Sequence, residues 1–138
     1  MSLTNYSFDL FVSHCGVNKK EVYKLCDELK NKGFKLWIDK NEMVYGNVDE
    51  LMKKGIDESK LFMCCATTAY CESKNCLAEF NYAVSVDKKI IYVIFEKFAD
   101  KIERASKLSA IALRLAGQKF YKCENIDGIV TAIKALVQ

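Results

Sequence analysis

The sequence predicts a doubly wound α/β fold around a five-stranded parallel sheet, on three observations. Short β-prone runs alternate with segments of helical period along the whole chain. The runs are almost continuously apolar, as strands covered on both faces are. A length of 138 residues suits one domain that buries roughly two-thirds of its unfolded surface. The expected unit is therefore a single domain over residues 1–138, with a core spanning about 6–137.

Phe8-Asp9-Leu10-Phe11-Val12-Ser13 reads as the first, central strand. Asn18 followed by Glu21 has capping-box spacing, and Val22, Leu25, Cys26 and Leu29 then recur at helical intervals until Gly33 stops the helix. Phe34 to Asp39 alternates as a second strand. Lys40 to Asn47 has no apolar period and is a loop feeding a helix marked by Val48, Leu51, Met52, Gly55 and Ile56. Leu61 to Thr67 is a third strand, and a helix from Tyr70 or Ser73 to Val86 follows. Lys89 to Phe95 is a fourth strand. Leu108, Ile111, Ala112 and Leu115 suggest a further helix before a short strand near Phe120 to Cys123. Asn125 then caps a last helix with Ile126, Ile129, Val130, Ile133 and Leu136 or Val137 on its buried stripe.

Right-handed crossovers after each strand make the sheet parallel and place helices on both faces, giving a flavodoxin-like three-layer fold with strand order 2-1-3-4-5. In such sheets ligands bind outside the carboxyl ends of the strands where winding reverses. Here that point lies between the ends of the first and third strands, so the loops His14 to Asn18 and Ala66 to Tyr70 face any ligand.

Composition excludes several classes of function. The longest purely aliphatic-aromatic run, Ile90 to Phe95, is too short to span a bilayer, and the first residues lack a signal peptide's basic and apolar regions. The expected location is cytoplasmic. Seven cysteines without knuckle spacing, and one histidine, His14, argue for reduced buried thiols and no metal site. The 21 basic and 18 acidic residues are dispersed, without the basic stripe that nucleic acid requires. A phosphoryl-accepting receiver domain needs an aspartate at the end of the third strand, where Cys65-Ala66-Thr67-Thr68 stands instead.

Four motifs in register resemble the Toll/interleukin-1 receptor (TIR) domain family. Phe8 to His14 looks like its opening strand. Trp37-Ile38-Asp39, Glu42 and Gly46, followed by Ile56 and Ser59, are similar to its second strand, mobile BB loop and second helix. Ser73-Lys74-Asn75-Cys76-Leu77-Ala78-Glu79-Phe80 resembles the signature Ser-x-Trp-Cys-x-x-Glu-Leu. In NAD-cleaving members the signature glutamate is catalytic, so the resemblance assigns that role to Glu79. Helical geometry, at about 100° per residue, places Glu79 with Asn75, Tyr82 and Val86 on one flank of its helix rather than in the core.

The resemblance also implies substrate contacts from His14, Cys15 and Gly16 after the first strand, and from Trp37, Asn75 and Tyr82. Asn75 occupies the place of the family's tryptophan, so an aromatic wall is missing or comes from elsewhere, such as Tyr70 or Tyr82. The BB loop, with Glu42, Met43, Val44, Tyr45 and Gly46, is the expected assembly surface, because exposed Met43, Val44 and Tyr45 favour a covering partner. The implied activity is NAD+ glycohydrolysis in self-associated domains, giving nicotinamide and ADP-ribose or a cyclic form, with NAD+ as substrate and no cofactor. A non-catalytic TIR–TIR interaction module in signal transduction and innate immunity is the alternative, favoured by Asn75. The receptor-type glutamate also survives in adaptor-recruiting members, whereas the absence of proline departs from the receptor-type BB loop.

Overall fold

The computed structural model describes residues 6–38, 48–95, 117 and 119–137. The expected BB loop and the helix expected around Leu108 to Leu115 lie outside them. Five strands, β1 (Phe8–Ser13), β2 (Leu36–Trp37), β3 (Ser59–Ala66), β4 (Lys89–Ile94) and β5 (Phe120–Lys122), form one sheet in the order β2-β1-β3-β4-β5. Every pairing is parallel, with Leu10 opposite Leu36, Phe11 opposite Phe62, Met63 opposite Ile91 and Val93 opposite Tyr121. This is the flavodoxin-like order expected from the alternating pattern.

The helices are α1 (Lys19–Asn31), α2 (Val48–Asp57), α3 (Thr68–Glu72), α4 (Lys74–Ser85) and α5 (Ile126–Val137). Period-two alternation along the strands divides the core between two faces. Phe11, Phe62, Cys64 and Ala66 pack with Ile56, Tyr70, Phe80 and Ala83 beneath α2, α3 and α4. Leu10, Val12, Leu61, Met63 and Cys65 pack with Val22, Leu25, Leu29, Ile129 and Ile133 beneath α1 and α5. Each fully buried side chain of this size stabilises by about 1.5–3 kcal/mol relative to exposure, which is why the central strand β3 carries no exposed residue from Leu61 to Ala66.

Local chemistry sets the helix ends. At the end of α1, Gly33 adopts φ +96°, and its N–H donates to Lys30 O at 2.9 Å while Phe34 N–H donates to Leu29 O at 3.2 Å. This Schellman closure uses Gly33 as the sequence predicts. The same closure corrects the start of the expected second strand: Phe34 N–H is committed to α1, so contact with β1 begins at Lys35, whose carbonyl accepts from Asp9 and Leu10 N–H, and β2 itself is Leu36–Trp37, while Asp39 lies outside the described residues.

The capping box expected at Asn18 is also corrected. A 3-10 turn, Gly16–Asn18, precedes α1, and Asn18 occupies the N-cap without a side-chain capping bond. By contrast, Asn125 Oδ1 accepts from Gly128 N–H at 3.0 Å and caps α5 as expected.

Candidate functional site

The winding reversal falls between β1 and β3, as their places in the strand order require. Ser13 is the last residue of β1 and lies two positions beyond Phe11, so it shares the face covered by α3 and α4. Thr67 follows β3 and caps α3, its Oγ1 accepting from Tyr70 N–H at 3.0 Å. Ser73 ends α3 and caps α4, its Oγ accepting from Cys76 N–H at 3.2 Å. The single helix expected from Tyr70 or Ser73 is instead two: α3 starts at Thr68, with Tyr70 inside it, and Ser73 marks the start of α4. This double cap brings Tyr70 and Glu79 to the same strand end.

There the three side chains join. Ser13 Oγ donates to Glu79 Oε1 at 2.6 Å and lies 2.6 Å from the Tyr70 hydroxyl. Because the single serine proton goes to the carboxylate, Tyr70 is the donor to Ser13. Ser13 is 1% exposed and Tyr70 0%, whereas Glu79 is half-buried. A bond from a hydroxyl to an ionised carboxylate is charge-assisted and contributes about 1.5–3 kcal/mol. Burial raises the phenol of Tyr70 well above its ordinary range, and the neighbouring Cys64 thiol and Glu79 add to that. Tyr70 therefore stays a neutral donor.

Thiols surround this chain of hydroxyls. Burial raises Cys64 far above the ordinary thiol range, and Cys71, Cys76 and Glu79 nearby add to that. Cys76 donates its S–H to the His14 carbonyl at 3.6 Å. Burial pushes its thiol up to about 12, and Glu79 and Cys15 add to the rise. A thiol so far above neutral pH is not a nucleophile. Among the described residues, no three His, Cys, Asp or Glu side chains converge as metal ligands, and no helix is long and apolar enough to cross a membrane.

The remaining expected residues distribute unevenly. His14 and Cys15 flank the cluster on opposite sides: the His14 ring lies edge-on to Tyr23 of α1 at 5.7 Å, and Cys15 packs toward the core beneath α4. Gly16 is exposed and opens the 3-10 turn, and a Cβ there would meet only Lys19 Cε at 3.8 Å. Asn75 is exposed on the first turn of α4. Trp37 is 6% exposed, stacked on Phe11 at 4.4 Å and pressed against Gly55, inside the core rather than on the cluster's surface.

Tyr82 is half-buried and points its hydroxyl at α2, donating to the Asp57 carboxylate at 2.9 and 3.0 Å. That bond raises its phenol above the ordinary range. Tyr70, fully enclosed, cannot be an exposed aromatic wall; the structure corrects that expectation. Ser13 and Tyr70 are instead the partners that sequence reasoning missed. The available signal was a hydroxyl closing an apolar strand, Val12-Ser13, at the reversal point.

The geometry defines a flavodoxin-like domain with a hydroxyl-held carboxylate at the carboxyl edge of its sheet. A sequence profile described as TIR domain matches residues 10–127, and the chain belongs to the TIR domain family. The TIR domain of the Toll-related receptor TRR-2 from the lower metazoan Hydra magnipapillata is similar, with TM-score 0.59 and 16% identity, over 63% of this chain and 70% of that one. TIR domains of the activated Roq1 resistosome, which directly recognises the pathogen effector XopQ, give TM-score 0.63 and 20% identity over 95% and 82% of the two chains. A metazoan TIR-STING receptor from C. gigas gives TM-score 0.73 and 17% identity over 96% of this chain. This chain corresponds to 42% of that receptor's length. These likenesses show the shared fold. No curated protein sequence matches the chain significantly.

Proposed function

We propose that this TIR domain, an independent cytoplasmic unit of about residues 6–137, is an NAD+ glycohydrolase. The observation that carries the reading is the signature glutamate, Glu79, held half-buried by a 2.6 Å bond from Ser13 at the carboxyl edge of the sheet. Cleavage of the nicotinamide–ribose bond releases a neutral ring that needs no proton. Positive charge then develops on the ribose as an oxocarbenium-like cation, and a fixed carboxylate beside it stabilises that charge. Glu79 would also orient the ribose hydroxyls, with His14, Cys15 and Gly16 lining the approach. Attack by water then gives ADP-ribose, and attack by a nucleophile within the same molecule gives a cyclic form.

Self-association is part of the proposal. TIR domains of this fold occur in the activated Roq1 resistosome, and Met43, Val44 and Tyr45, with Glu42 and Gly46, offer an apolar BB-loop segment in the sequence. Exposed Asn75, in the place of the family's tryptophan, favours a second reading as a non-catalytic TIR–TIR recruitment module. The burial of Trp37 likewise leaves the pocket without an aromatic wall from that residue.

The test is nicotinamide release from NAD+ by concentrated, assembled protein, comparing the native chain with Glu79→Ala at matched fold and assembly state. Loss of about 100-fold or more in turnover is expected for the variant. No turnover from demonstrably assembled native protein would overturn the glycohydrolase reading and make the recruitment reading the better one.

A further inference from the structure

Two hydroxyls are buried where methyl groups would serve packing equally well. Ser13 sits in line with Phe11 at the end of β1, and Tyr70 is enclosed by the same apolar cluster. Burying hydroxyls in such a place costs free energy unless both are hydrogen-bonded. Here they are bonded to each other and, through Ser13, to the carboxylate. Tyr70 cannot reach Glu79's role by contact with substrate, because it is 0% exposed. Its hydroxyl instead fixes the direction in which the single Ser13 proton points.

We infer that Ser13 and Tyr70 are positioning residues for Glu79, forming a donor chain that runs from Tyr70 through Ser13 to Oε1 and holds the carboxylate in one orientation. The chain ties four elements together: β1 supplies Ser13, α3 supplies Tyr70, α4 supplies Glu79, and β3 supplies Cys64 against the phenol. Charge-assisted bonds of this kind are shorter and stronger than neutral ones, and donation from Tyr70 polarises the Ser13 hydroxyl further. The catalytic consequence rests on the glycohydrolase reading above. The geometric consequence does not.

The experiment therefore has two readouts. The first is the titration of the Glu79 side-chain carboxyl, followed by 13C NMR in the native chain, Ser13→Ala, Ser13→Thr and Tyr70→Phe. Among the described residues, the groups that feel its charge include the Cys64 thiol from β3, the Tyr70 phenol from α3 and the Cys76 thiol on α4. All three stay neutral across the carboxylate range, so they do not mask it. A hydroxyl donating to the ionised form lowers a carboxyl's titration midpoint. Ser13→Ala should raise the midpoint relative to the native chain, Tyr70→Phe should raise it less, and Ser13→Thr should keep it close to native.

The second readout is NAD+ turnover. Ser13→Ala should lower kcat about ten- to hundredfold with a much smaller change in KM, and Ser13→Thr should recover most of the loss. If Ser13→Ala fails to fold, the nearly isosteric Tyr70→Phe carries the test. An unmoved midpoint in folded Ser13→Ala and Tyr70→Phe would overturn the inference, even if the native chain cleaves NAD+. A shifted midpoint in a chain that cleaves no NAD+ would support the positioning role and sink only the glycohydrolase reading.

Discussion

At the scale of single residues, Asn18 separates what spacing can say from what packing decides. Its position three residues before Glu21 suggests a reciprocal cap, yet its side chain is 2% exposed, and neither amide atom has a hydrogen-bond partner among the described residues. A desolvated amide left in that state costs about 1–3 kcal/mol. Asn18→Leu should therefore raise the Tm of the ligand-free chain by a few degrees, roughly in line with about 1 kcal/mol recovered. A lower Tm in differential scanning calorimetry would show that the amide serves a partner.

Glu79 was legible from its motif and its helical angle, because both depend only on local sequence. Ser13 was not, since its meaning comes from residues 57 and 66 positions away. Tyr70 was visible as an aromatic residue near the site, but only packing reveals that it is enclosed.

At the scale of elements, the contact between α2 and the β1–β2 edge leaves little room. Phe11 and Trp37 stack with an interplanar angle of 12°, and Phe11 stacks in turn on Phe62 at 5.5 Å. Gly55 lets α2 lie against the indole, where an added Cβ would stand 2.6 Å from Trp37 Cε2. Gly55→Ala should destabilise the domain by about 1–3 kcal/mol through this overpacking. Chemical denaturation would check it: an unchanged midpoint would mean that the helix moves away without loss.

The order and type of the described elements were legible because period-two and helical patterns survive in the sequence wherever a face is buried. The break at Ser73 was harder to read. One residue at φ −88°, ψ 123° interrupts the helix, but its flanks, Tyr70 and Cys71 before it and Cys76 and Phe80 after it, keep nearly the same apolar spacing. The second strand was overestimated for a related reason: Phe34 is apolar enough for a strand, and its commitment to the end of α1 is a matter of hydrogen bonding.

At the scale of the molecule, buried acids make stability depend on alkaline pH. Burial raises Cys64, Cys65, Tyr70 and Cys76, with Cys76 at about 12, and it raises Cys123 to about 11. In the unfolded chain thiols titrate near about 8.5 and tyrosines near about 10. Above those values the unfolded chain binds fewer protons than the folded one, so the unfolding free energy falls as pH rises. The contribution is complete below about pH 8.5 and is lost progressively toward the folded values. Tm should fall steadily between about pH 9 and pH 11, and more gently in a Cys64→Ala, Cys65→Ala variant. A native Tm that holds level over that interval would contradict it.

The donor chain at Glu79 also governs when the site comes into being. Its two contacts close loops of 57 and 66 residues, and long closures of this kind come late because their entropic cost precedes any reward. Secondary structure can form, and β1 can pair with β2, while the carboxylate still has no fixed direction. Only when β3 is seated between β1 and β4, and α3 and α4 have docked over it, does Ser13 meet both partners. In a chain emerging from synthesis, the Glu79 carboxylate thus gains its fixed direction only at the last condensation, and that direction reports that folding is finished.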